Sequence, residues 1–189
     1  MAASNIPINA PPERRLWRPR FVSRRSCYVI RIEIANQQRL LKLDRRQLRA
    51  AVRGVLAAHD YASAEISLAV VDDAAIHELN RKWLEHDYPT DVISFVLEQQ
   101  SGHVEGEIIA SAQTAARTAR ELGAAAHDEL LLYVVHGMLH LVGFDDQTPA
   151  AASAMRAQER NILAGLGVAV VDRDSLPATK TQQVPRVPR

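Results

Sequence analysis

The spacing of hydrophobic positions changes several times along the chain, and each change marks an element. From Tyr28 to Ile34 polar and apolar residues alternate, the two-residue repeat of a half-buried strand. Asp44 followed by Gln47 is an N-cap pair for a helix running to about Ala58, with Leu48, Ala51, Val52 and Val55 on one inward face. Glu65 to Val71 reads as a second strand. The paired aspartates Asp72 and Asp73 suit the N-terminus of a helix from Ala74 to about Leu84. Pro89 breaks the chain before a strand over Val92–Leu97, and a polar turn with Gly102 leads to its hairpin partner, Glu107–Ala110. Ser111 caps a helix that ends near Gly123. An apolar helix follows over Asp128–Val142, and Thr148-Pro149 opens a last one to about Leu166. Strands come early, helices late, and strand and helix do not alternate regularly. The order predicts an α+β fold: a small mixed four-stranded sheet packed with about five helices.

The apolar helix over 128–142 ends in the stretch that carries chemistry, His136-Gly137-Met138-Leu139-His140-Leu141-Val142-Gly143-Phe144-Asp145-Asp146. Histidines at i and i+4 leave one helix face a turn apart. Gly143 ends the helix, since glycine accepts the left-handed conformation of a C-terminal turn. The chain can then double back and offer Asp145 or Asp146. Two imidazoles and a returning carboxylate, with a position left open, make a divalent-metal site of the hydrolytic kind at the end of this helix. The same spacing occurs in metzincin proteases, whose motif has a glutamate directly after the first histidine as general base. Here that position is Gly137, which points to a different hydrolysis.

Composition narrows the class. The 189 residues suit one domain with a sizeable core, 47% hydrophobic and 24% charged. No apolar run approaches the ~20 residues of a membrane span, and the N-terminus lacks a signal peptide's apolar core. Cys27 is the only cysteine, so no internal disulfide forms, in keeping with a cytoplasmic location. The net charge of +1 conceals local clusters. Residues 1–26 hold Arg14, Arg15, Arg18, Arg20, Arg24 and Arg25 against Glu13 alone, with four prolines and no apolar period, and read as a basic disordered tail. Trp17 within it is suited to stacking on a base or packing on the domain. Arg45, Arg46, Arg49 and Arg53 form a basic face on the first helix, a solvated surface or a set of phosphate contacts. Residues 173–189, with Pro177, Pro185, Pro188, Arg186 and Arg189, read as a second loose tail.

Three segments stand out in chain order: Leu79-Asn80 with Asp87-Tyr88-Pro89-Thr90-Asp91-Val92-Ile93-Ser94-Phe95, then Gly106-Glu107-Ile108-Ile109-Ala110-Ser111, then His136-Gly-x-Leu-His140-Leu-x-Gly143-Phe-Asp145. Together they resemble the YbeY family of metal-dependent endoribonucleases in ribosomal RNA maturation. They stand in the family's order and spacing. The resemblance implies the same α+β architecture and a single catalytic domain over 27–172. It implies one divalent metal ion, zinc expected, held by His136, His140 and Asp146, the last replacing the family's third histidine. It also implies hydrolysis of ribosomal RNA precursors, with the small ribosomal subunit as a possible partner and no membrane. A second departure puts Leu84 where the family has an arginine. Glu107, Asp145 and Ser94 are expected in structural roles: hairpin, outer contact to the site, and turn. Two other classes fit parts of the pattern. A metalloprotease-like hydrolase would share the metal helix, and a non-catalytic RNA- or ribosome-binding relative would explain the basic tail.

Overall fold

The computed structural model describes residues 29–169 and 171; the tails expected over 1–26 and 173–189 lie outside them. The described elements are β1 (Ile30–Asn36), α1 (Arg45–Ala58), β2 (Ser63–Val71), α2 (Asp73–Leu84), β3 (Val92–Gln100), β4 (His103–Ser111), α3 (Ala112–Leu122), α4 (Ala126–Leu141) and α5 (Pro149–Gly165). The sheet order is β1-β2-β4-β3. β1 and β4 both run parallel to β2, and β3 runs antiparallel to β4 with an irregularity between Val96 and Glu98. The α+β class, the mixed four-stranded sheet and the five helices agree with the sequence expectation.

Element ends follow local chemistry. Asp44 caps α1 by accepting from the backbone N–H of Arg46 at 2.9 Å and Gln47 at 3.0 Å, and those bonds, Gln47's first, hold its carboxyl below the usual range. Asp72, Ser111 and Thr148 accept from the third residue onward at the heads of α2, α3 and α5. The strands run beyond their expected limits. β1 sits two residues later, because it pairs from Ile30–Ala64 to Asn36–Val70. β2 begins two residues earlier, and β4 begins at His103, where the hairpin with β3 supplies partners that hydrophobic alternation cannot reveal.

The sheet's two faces are unequal. Residues of one face, including Ile32, Ile66, Leu68 and Ile108, join the main core with α1, α4 and α5. On the other, α2 lays Ile76 against Val71, Ile93 and Ile109. α4 is apolar nearly all round, so it is buried on nearly every side. Leu130, Leu131, Leu139 and Leu141 are fully enclosed, each contributing about 1.5–3 kcal/mol by transfer from water. Close packing on the sheet needs a missing side chain: a Cβ at Gly137 would meet Cγ2 of both Ile108 and Val92 at 3.1 Å. Two contacts fix the neighbour. His127, near the head of α4, bonds Gln47, near the head of α1, at 2.7 Å. Beyond the tails of the same helices, His59 and Phe144 meet edge-on with centroids 4.9 Å apart. α1 and α4 therefore run side by side in the same direction.

Candidate metal centre

The last two turns of α4 carry His136 and His140, and the chain reverses immediately after them. The helix ends in a Schellman motif. The N–H of Phe144 bonds the carbonyl of Leu139 at 2.9 Å and that of Gly143 bonds His140 at 3.1 Å, with Gly143 at φ +101°. That reversal returns the chain toward its own helix before Pro149 starts α5. Asp145 and Asp146 then diverge. The Oδ1 of exposed Asp145 accepts from the backbone N–H of Gln147 at 2.9 Å, a local turn. Asp146 turns inward, its Oδ2 3.8 Å from Nε2 of His136.

Both imidazoles are held from behind. Nδ1 of His136 lies 2.6 Å from Oε1 of Glu159, and Nδ1 of His140 lies 3.1 Å from the carbonyl of Phe144. Carboxylate and carbonyl are acceptors only, so each Nδ1 carries the hydrogen and each Nε2 presents its lone pair. The two Nε2 atoms face one another at 3.0 Å. Two lone pairs converging that closely repel unless a proton or a cation stands between them.

The donor set fits a metal ion. One donor atom each from His136, His140 and Asp146 lies within 4.8 Å of the others. Ligands held tetrahedrally at the bond lengths of a zinc site stand about 3.3–3.4 Å apart. The 3.0 Å nitrogen pair and the 3.8 Å nitrogen–oxygen pair bracket that spacing. The electrostatics split the pair. Burial, the largest influence, opposes protonation of His136, but the bond to Glu159 and the charges of Glu159, Asp91 and Asp146 outweigh it and raise its pKa. Burial and the charge of His136 push His140 down.

Other expected residues fall as follows. Arg45, Arg46, Arg49 and Arg53 are exposed on α1, and Arg45 also donates to the carbonyl of Ile34 at 2.7 Å. They lie on the exposed side of α1, the helix that packs on α4. Ser94 is not in a turn; it sits within β3 opposite Ile108, because pairing with β4 extends through it. Glu107 faces Phe95 across the hairpin, and burial raises its carboxyl. Leu84 closes α2. Glu159 was not anticipated. Its signal lay in the spacing: a carboxylate at 159 shares the inward face of α5 with Met155, Ile162 and Leu163, all buried.

The YbeY family model, described as Endoribonuclease YbeY, matches residues 33–167. The chain belongs to the YbeY family. Relatives described as Endoribonuclease YbeY include one from Rhodopirellula baltica, 42% identical over 142 residues, 72% of this chain and 73% of that protein. Another, from Moorella thermoacetica, is 44% identical over 133 residues, 65% of this chain and 82% of that protein. A third, from Geobacter metallireducens, is 35% identical over 154 residues, 78% of this chain and 99% of that protein. The YbeY match spans the donor cluster and the residues that hold it from behind, all of which lie between 136 and 159.

Proposed function

We propose that the protein is a metal-dependent endoribonuclease, hydrolysing RNA phosphodiester bonds in ribosomal RNA processing and ribosome biogenesis. The observation that carries this reading is the convergence of the Nε2 atoms of His136 and His140 beside Asp146, in a chain of the YbeY family. A divalent ion held there supplies a Lewis acid for the phosphoryl group and lowers the pKa of water it binds toward neutrality. His136 and His140 lend uncharged nitrogens and Asp146 an anionic oxygen. That mixed set is harder than three imidazoles, so zinc is the expected ion with manganese or iron(II) tolerated. The arginines on α1 follow one side of the helix, and positions 45, 49 and 53 rise about 12 Å along it. They would hold the RNA backbone beside the site while the reacting bond lies at the end of α4. The substrate inferred is a ribosomal RNA precursor, with the small ribosomal subunit as partner and the cytoplasm as the place of action; the relatives' printed name supports the cleavage of RNA, the resemblance of the three segments supports the ribosomal substrate, and the lone cysteine agrees with a reducing compartment.

The test is cleavage of structured RNA by the purified protein with its metal content measured. Stoichiometric metal and cleavage, both lost in His140→Ala, support the enzyme. RNA binding without metal or cleavage would make it a binding relative. The metalloprotease alternative has a specific obstacle: its motif's base position is Gly137, which is packed against β3 and β4.

A further inference from the structure

The two imidazoles of the candidate centre are supported by different groups. Behind His140 stands a neutral backbone carbonyl, supplied by the turn that ends its own helix. Behind His136 stands Glu159, from the next helix, at the shortest contact in the cluster, 2.6 Å. Glu159 is 8% exposed and lies on a helix face otherwise occupied by Met155, Ile162 and Leu163. A carboxylate placed among apolar side chains costs several kcal/mol of desolvation unless it is well bonded. A merely structural polar contact could be replaced by a hydrophobic residue of similar volume. Here the carboxylate addresses the one ring atom whose occupancy decides which nitrogen faces the donor cluster.

Resting on the metal-centre reading above, we propose that Glu159 is the positioning residue of that centre. Its carboxylate, accepting from Nδ1–H of His136, fixes the tautomer that presents Nε2 beside His140 and Asp146 and makes that nitrogen a stronger donor. Carboxylate–imidazole pairs of this type raise ligand basicity and lock ring orientation, and their loss lowers metal affinity by about 10- to 100-fold. The arrangement also joins α5 to the centre, although α5 supplies none of the three clustered donors.

The test measures Zn2+ affinity of the full chain by chelator competition, the visible spectrum of its Co2+ form, and thermal unfolding without metal. Glu159→Gln keeps the shape and an accepting oxygen but removes the charge. It should bind Zn2+ about 10- to 100-fold more weakly, with altered Co2+ bands and little change in metal-free unfolding. Glu159→Asp, which keeps the charge one methylene further back, should recover part of the affinity; it carries the comparison if the glutamine variant does not fold. Zn2+ affinity of Glu159→Gln within twofold of the parent overturns the proposal and leaves the metal centre standing. A parent protein that takes up neither ion overturns both.

Discussion

Two polar clusters in this molecule are built from similar parts and end differently. At the junction of α2 and α3, Asp73 accepts from the hydroxyls of Ser111 and Thr114 and from Arg117, whose other nitrogen bonds Thr114 at 2.9 Å; the backbone N–H of Asp73 meets Gln113 at 2.8 Å. Each hydrogen bond there is answered within the cluster, and the network closes on itself. At the end of α4, the outer nitrogens of His136 and His140 are answered, but the inner ones are aimed at one another and at Asp146. The first arrangement ties helices together. The second uses its hydrogen bonds to leave lone pairs converging, which is the condition for holding a cation.

The largest expected effect tests the open cluster. His140→Ala should lower RNA cleavage by more than about 100-fold, beyond the loss expected for an outer partner, and remove bound metal while the circular dichroism spectrum stays unchanged. Cleavage at the parental rate by the metal-free variant would end the distinction between the clusters. Next comes the choice of carboxylate. Asp146→Asn should lose metal and activity, whereas Asp145→Asn, which affects a local turn, should retain both. Metal analysis with the reverse result would show that the turn presents the other aspartate.

The closed cluster should answer in stability alone. Asp73→Ala removes a carboxylate bonded to two hydroxyls and a guanidinium, a loss of about 2 kcal/mol, read as a lower denaturant midpoint with Zn2+ affinity intact. Its pH dependence has a definite sign. Burial opposes ionisation of Asp73, but the bonds from Ser111, Arg117 and Thr114 prevail and lower its pKa. Its contribution is therefore present above the unfolded value of about 3.9 and is lost as pH falls through the lower folded value. Parental unfolding temperature should drop more steeply below about pH 4 than that of Asp73→Asn; parallel curves would contradict this. The smallest effect concerns the arginines of α1. Replacing Arg45, Arg49 and Arg53 by glutamine should reduce the slope of log affinity against log salt for single-stranded RNA by about 0.7 for each phosphate no longer neutralised, and an unchanged slope would make that face a solvated surface.

These differences explain what was legible in the sequence. Helices and their caps were readable, because Asp44, Ser111, Thr148 and Gly123 act on neighbours a few residues away. His136 and His140 were readable for the same reason, one turn apart on one helix. Strand ends were less so: β4 starts at His103 because β2 and β3 pair with it there, and pairing at a distance leaves little local trace. Glu159 stands 23 residues from His136. Its inward place on α5 was visible, but the imidazole it meets depends on how α5 folds back over α4. The Asp73 network, which spans 38 to 44 positions, was hidden for the same reason, although its first residue was recognised at the head of a helix.

The close seat of Gly137 bears on how such a chain can change over generations. On paper, a glutamate after His136 would bring the helix to the metalloprotease motif by a single replacement. In the folded molecule the first carbon of that side chain would lie 3.1 Å from methyl groups of both Ile108 and Val92, so each of them would have to give by a few tenths of an ångström to admit it. A lineage built on this helix can more readily vary position 146, which lies in a turn open to solvent on one side. The step toward the neighbouring chemistry is the more constrained one, because it presses on the sheet on which the helix rests.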